Sequence, residues 1–165
     1  MTFTRACLVA LLGLLAVACA TAQPPAGGNA VYVVRHLNTP AGERDPDLLP
    51  EGRRTAEALA AWFPRGELPT AIYVSDFRRT RQTAAPLAAR LNLTPVVYDP
   101  ADTPALVARV RAEPGVVLIV GHSNTVPDIV ALLGGTRPAP LVHEDFGDIW
   151  RVAANGETTR ARIAP

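Results

Sequence analysis

The chain has no lysine, only two cysteines, one methionine and four phenylalanines among its 165 residues. Both cysteines, Cys7 and Cys19, fall within the first 20 residues. Loss of that segment leaves no thiol, which excludes disulfides and cysteine metal sites from the rest of the chain. The missing lysine fits a GC-rich codon bias and marks no site by itself. An excess of one charge is also lacking: sixteen arginines face fifteen acidic residues, for a net charge of +1. That balance excludes a general basic field for nucleic acid or an anionic membrane surface. The longest hydrophobic run, ACLVALLGLLAVACA at 6–20, spans 15 residues, short of the roughly 20 needed to cross a bilayer.

That run follows Arg5 and leads to ATA at 20–22, the layout of a secretory signal cleaved before Gln23. The expected organisation is a signal peptide over 1–22, a Pro/Gly-rich tether (QPPAGGNA) over 23–30, and one domain over 31–165. AVAC at 16–19 resembles the lipobox of bacterial lipoproteins, with alanine where leucine is usual. Membrane attachment through a lipidated Cys19 therefore stands beside free secretion. Either route places the domain in the periplasm or cell envelope.

From residue 31 onward, short apolar runs alternate with helical patterns. Strands are expected at 31–36, 71–74, 95–98 and 116–121, separated by helices near 51–62, 79–91, 103–113 and 125–134. Two further strands near 147–153 and 158–163 flank NGE at 155–157, a hairpin turn signal. The pattern predicts an α/β fold: a three-layer α/β/α sandwich whose mostly parallel central sheet carries an antiparallel edge strand.

Two of the three histidines end apolar strand runs, VYVVRH at 31–36 and VVLIVGHSNT at 116–125. Buried parallel strands deliver such residues to the carboxyl edge of a sheet, where open α/β folds build their sites. Between the two, AIYV at 71–74 runs into SDFRRTRQTA at 75–84, a helix start carrying Arg78, Arg79 and Arg81. Cations there oppose the helix dipole and call for a bound anion, with phosphate the obvious one.

RH at 35–36, SDFRRTRQTA at 75–84 and GHSNT at 121–125 together resemble the motifs of the histidine phosphatase superfamily, also called phosphoglycerate mutase-like. The resemblance implies a nucleophile at His36, phosphate-binding arginines at Arg35 and Arg79, and a second catalytic histidine at His122. The chemistry agrees. A neutral imidazole attacks phosphorus to form a phosphohistidine that water then hydrolyses, and neighbouring guanidinium groups keep the ring neutral while stabilising the transferred phosphoryl group without a metal or other cofactor. Thr39, Ser123 and Asn38 are further candidate phosphate ligands, and Asn124 a candidate for orienting the His122 loop. The expected partner is a small phosphorylated substrate.

The family usually follows its first motif with a small residue and glutamate, whereas Leu37 and Asn38 stand here. Leu37 is expected to add bulk where backbone approaches the phosphate, and Asn38 replaces a carboxylate with a neutral amide. The proton donor is sought in VYDPAD at 97–102, with Asp102 first and Asp99 second, each also explicable as a helix cap or turn aspartate. Arg78 and Arg81 read as paired or solvated, Tyr73, Phe77 and Trp150 as core, and His143 as a loop or strand residue. The leading expectation is an exported metal-independent phosphomonoesterase. The alternative is a non-catalytic phosphate-binding or envelope interaction module with a degenerate site.

Overall fold

A computed structural model describes residues 29–165. The expected signal peptide, with Cys7 and Cys19, and the tether up to residue 28 lie outside the described residues. The elements alternate as the sequence predicts, with ends shifted by one or two residues: β1 (Val31–Arg35), α1 (Pro50–Trp62), β2 (Ala71–Ser75), α2 (Arg78–Leu91), β3 (Val96–Tyr98), α3 (Thr103–Arg111), β4 (Val117–Gly121), α4 (Val126–Leu132), β5 (Asp148–Val152) and β6 (Thr158–Arg162).

The strands form one sheet in the order β3-β2-β4-β1-β5-β6. β3, β2, β4 and β1 are parallel neighbours, while β5 pairs antiparallel with β1 and β6 antiparallel with β5. The antiparallel edge is thus the two-strand hairpin that NGE at 155–157 predicts. It turns at Gly156, whose φ of 84° suits glycine.

Side chains alternate across the sheet with the period of two that extended backbone imposes. Tyr32 and Val34 of β1, Ile72 and Val74 of β2, and Leu118 and Val120 of β4 join Leu59 and Ala60 of α1 and Ala84 and Leu87 of α2 in one core. Val33, Tyr73, Val117 and Ile119 face the other way, against Leu106, Val107 and Val110 of α3 and Val126, Ile129 and Val130 of α4. These central strands read as continuous apolar runs because helices cover both faces. The result is the expected three-layer sandwich.

Two close approaches fix loops beside the sheet's carboxyl edge. A Cβ on Gly52 would lie 2.6 Å from the Asn38 carbonyl oxygen, so the first turn of α1 sits directly on the segment after β1. A Cβ on Gly121 would lie 2.9 Å from Thr125 Oγ1, which leaves that hydroxyl free to accept the His122 backbone N–H at 2.9 Å. Among the described residues, no helix is long and apolar enough to cross a membrane.

Candidate active site

Parallel pairing puts the ends of β1, β4 and β2 side by side, with Arg35 opposite Gly121 and Val74 opposite Val120. One residue further on, the His36 N–H donates to the Gly121 carbonyl at 2.9 Å. His36 and His122 therefore leave adjacent strands together, their ring centres 5.5 Å apart. They share a cleft of about 400 Å³ with Phe77, Arg79, Pro100, Ala101, Ser123 and Asn124.

His36 is buried, and its Nδ1 lies 3.0 Å from the Leu37 carbonyl oxygen. A carbonyl only accepts, so Nδ1 carries the hydrogen and Nε2 keeps its lone pair. Desolvation, helped by the charges of Arg35 and Arg79 and by His122, pushes the ring's pKa down to about 3 against the opposing Leu37 hydrogen bond. His36 is thus a neutral imidazole at neutral pH, with a lone pair on Nε2.

Arg79 stands in the first turn of α2, stacked on Phe77 with its guanidinium carbon 4.2 Å from the ring centre. Nη1 donates to the Arg44 carbonyl at 3.2 Å and to Asp45 Oδ1 at 3.4 Å, and Nη2 faces His122 Nδ1 at 3.4 Å. Asp45 Oδ1 also accepts the Arg78 N–H at 3.0 Å. A carboxylate of the chain thus supplies part of the negative charge that the helix start calls for. Burial lowers the pKa of His122 to about 4, with Arg79 and Arg35 adding to the shift and Asp45 opposing it.

Arg35, the last residue of β1, is buried. Its Nη1 donates to the carbonyls of Val142, His143 and Asp145 at 2.5, 3.1 and 3.2 Å, and its guanidinium carbon sits 4.2 Å from the Phe146 ring centre. The Arg35 Nε–H is buried with no partner among the described residues. An unmet buried donor costs about 1–3 kcal/mol, which an oxyanion bound alongside would recover.

The structure brings His36, Arg79, His122, Ser123 and Asn124 onto one cleft, leaves Arg35 outside its lining, and leaves the other candidates elsewhere. Asp102 Oδ1 accepts the Ala105 N–H at 3.0 Å as the cap of α3, and Asp99 Oδ1 accepts from Ala101 N at 2.9 Å in a turn. Only the backbone-adjacent Pro100 and Ala101 of that segment reach the cleft; the two carboxylates serve the local chain. Asn38 lines a separate pocket with Glu51, Thr55, Glu144 and Phe146, and Thr39 is buried outside the cleft lining.

The expected obstruction by Leu37 does not arise, because its side chain is wholly buried in a small cluster with Leu48 and Ala56. Thr125, not Asn124, anchors the His122 loop. Phe77, expected in the core, lines the cleft and meets the His122 ring edge-on at 5.3 Å. Arg78 and Arg81 pair with carboxylates as expected, Arg78 with Asp45 and Asp47 and Arg81 with Asp76.

Sequence reading missed Ser75 and Phe146, and it placed Asp45 on a pocket rim at 43–52 without assigning it to Arg79. Ser75 carried a usable signal, since it ends an apolar strand just as the histidines do. Phe146 carried none, because its place under Arg35 depends on the path of a loop. Among the described residues, no group of three or more His, Cys, Asp or Glu side chains is placed to hold a metal ion.

No curated protein matches the chain. Solved structures similar to it include the following three. The protein histidine phosphatase SixA complexed with tungstate aligns with a TM-score of 0.60 at 21% identity, covering 82% of this chain and 97% of that one. A mycobacterial glucosyl-3-phosphoglycerate phosphatase complexed with VO3 gives 0.64 at 17% identity, covering 84% and 100%. A protein from Nakamurella multipartitia, described as a phosphohistidine phosphatase SixA, gives 0.56 at 25% identity, covering 83% and 95%. The sequence model of the histidine phosphatase superfamily (branch 1) matches residues 31–101, the stretch that supplies Arg35, His36 and Arg79. The paired strand ends, the matched motifs and the shared fold agree: the chain is similar to the histidine phosphatase superfamily in sequence over residues 31–101 and in the fold of the described residues.

Proposed function

We propose that the chain is a phosphatase that works through a phosphohistidine on His36, without a metal, on small phosphorylated substrates. The observation that carries this reading is the Nδ1 contact of His36 with the Leu37 carbonyl, which leaves Nε2 unprotonated on the cleft side. In the first step Nε2 attacks phosphorus, the P–N bond forms and the bond to the leaving oxygen breaks. In the second, water attacks the phosphoryl group, the P–N bond breaks and His36 is restored. Arg79, the Nε edge of Arg35 and Ser123 are the proposed ligands of the phosphoryl oxygens, with His122 beside them.

Among the described residues, those lining the cleft include no carboxylic acid. A poor leaving group such as an alkyl alcohol needs a proton as the bond breaks, whereas a phenol, an acyl phosphate or a phosphohistidine departs more readily unaided. The proposed substrates are therefore activated phosphates. The leader sequence supports an exported enzyme of the periplasm or envelope, either freely secreted or held by a lipidated Cys19.

The test is p-nitrophenyl phosphate hydrolysis by the chain from Gln23, with chelator present, beside His36→Ala. Turnover lost in the variant, with an acid-labile phosphoryl group trapped on the parent protein, is the expected result. Turnover that survives His36→Ala would refute the mechanism. Phosphate binding with no turnover in either protein, from acid to neutral pH, would instead establish a binding module.

A further inference from the structure

Behind His122 runs a chain of hydroxyl groups that the phosphatase mechanism has not used. Ser75, the last residue of β2, is fully buried, and its Oγ lies 2.8 Å from His122 Nε2. The same Oγ lies 3.1 Å from Thr80 Oγ1. Thr80, also fully buried, reaches two backbone carbonyls, Ser75 O at 2.9 Å and Phe77 O at 2.8 Å.

Carbonyls only accept, so the single hydrogen of Thr80 is directed to one of them. Thr80 Oγ1 is then free to accept, so Ser75 can donate its own hydrogen to it and turn a lone pair toward His122 Nε2. At the opposite side of the ring, Arg79 Nη2, which can only donate, faces Nδ1 at 3.4 Å, so Nδ1 carries the lone pair. Arg79 thus selects the tautomer with hydrogen on Nε2, and the Ser75 lone pair receives that hydrogen.

We propose that Ser75 is a positioning residue that locks His122 as its Nε2–H tautomer, so that His122 gains and loses protons only at Nδ1, on the cleft side. The hydroxyl chain ends on backbone carbonyls and cannot conduct a proton away. A phosphoryl oxygen that replaces the Arg79 contact then meets a lone pair unless Nδ1 first takes up a proton. Phosphate binding is coupled to proton uptake by His122. The charged and titratable groups facing that ring are Arg79 from α2, Arg35 and His36 from the end of β1, and Asp45 from the loop after it. The first two oppose protonation and Asp45 favours it, and the bound phosphoryl group tips the balance. This inference rests on the proposed phosphate site.

The experiment has two parts. Nitrogen-15 NMR of the ligand-free protein near pH 7 should show His122 as the Nε2–H tautomer. Its Nδ1–H form would overturn the proposal whether or not phosphate binds. Calorimetry with inorganic phosphate, in buffers of different ionisation enthalpy, should then show uptake of about one proton per site above pH 6, as expected for a group whose free pKa lies below the buffer pH. In Ser75→Ala the Nε2 partner is gone and the Nδ1–H tautomer becomes available as a donor. Proton uptake should fall and the pH profile of phosphate affinity should flatten, with Ser75→Cys intermediate. Undiminished uptake in Ser75→Ala would also overturn the proposal. Failure of phosphate to bind the parent protein would count against the phosphate site, while the tautomer measurement would still decide the role of Ser75.

Discussion

Asp45 is the one charged group among the contacts that hold Arg79, the others being the Phe77 face, the Arg44 carbonyl and His122 Nδ1. Replacing it with asparagine removes the charge but keeps an oxygen able to accept from the Arg78 N–H and from Arg79. The guanidinium should therefore stay in place while the local potential becomes more positive. A phosphoryl oxygen on the cleft side of Arg79 would stand about 7 Å from the carboxylate. At that distance Coulomb's law gives about 0.6 kcal/mol per unit charge in water and about 2.4 kcal/mol at the effective dielectric of a protein surface.

The Asp45 side chain is 35% exposed, so the lower half of that range applies, about 1 kcal/mol. That corresponds to about a five-fold change in affinity. Asp45→Asn should thus lower the inhibition constant of inorganic phosphate against p-nitrophenyl phosphate by about five-fold at low ionic strength, and by less in high salt. An inhibition constant that rises would mean that Asp45 is needed to aim Arg79. An unchanged value would mean that the carboxylate is electrically remote from the anion. Either result refutes the reasoning.

Two other outcomes follow from burial and capping. Both cleft histidines have folded-state pKa values, about 3 for His36 and about 4 for His122, below the unfolded value of about 6.5, so the unfolded chain binds more protons and stability is lost as pH falls below about 6.5. At about 1.4 kcal/mol per unit, each ring contributes a loss of up to about 2 kcal/mol at pH 5 relative to pH 8. Urea unfolding at the two pH values should show it, with a smaller loss in His122→Gln; equal stability of the parent at both would refute the buried neutral rings. Asp102→Ala should cost about 1 kcal/mol through loss of the α3 cap, read as a lower melting temperature, and leave the ratio of alkyl to aryl phosphate hydrolysis unchanged. A selective fall in alkyl phosphate hydrolysis would return Asp102 to the role of proton donor.

The fold was legible because its signals are local. The runs VYVVR, AIYVS and VLIVG are long enough and apolar enough to be strands covered on both faces, and the intervening segments carry helical spacing, with proline in the first turns of α1 and α3. The histidines were legible because each ends such a run. What the sequence does not display is pairing between distant segments. The carbonyls at 142–145 that hold Arg35 lie more than 100 residues away in the chain, and the choice of Asp45 rather than Asp47 as the partner of Arg79 depends on how a loop crosses the start of α2. Asp102 was ambiguous for a different reason. One aspartate before a helix satisfies the pattern of a cap and that of a cleft acid equally, and only the position of the cleft relative to α3 separates them.

The Leu37–Asn38 departure from the family pattern separates geometry from charge. The Leu37 N–H donates to Thr83 Oγ1 at 3.0 Å, and that hydroxyl donates to the Arg79 carbonyl at 2.8 Å, so the backbone beyond His36 is bridged to the same helix that presents Arg79. The Leu37 side chain plugs the space beside Leu48 and Ala56, and the Asn38 carbonyl accepts the Leu49 N–H at 2.8 Å while packing on Gly52. Apolar bulk at position 37 is thus absorbed away from the cleft, and the spacing of His36 from Arg79 does not depend on a small residue there. Charge is another matter. Asn38 brings no carboxylate, yet Asp45 brings one to Arg79 from the loop before α1. The charge beside Arg79 thus comes from a loop that the Leu37–Thr83 bridge does not depend on, so Asp45→Asn changes the charge while the bridge from Leu37 through Thr83 to the Arg79 carbonyl keeps the scaffold in shape.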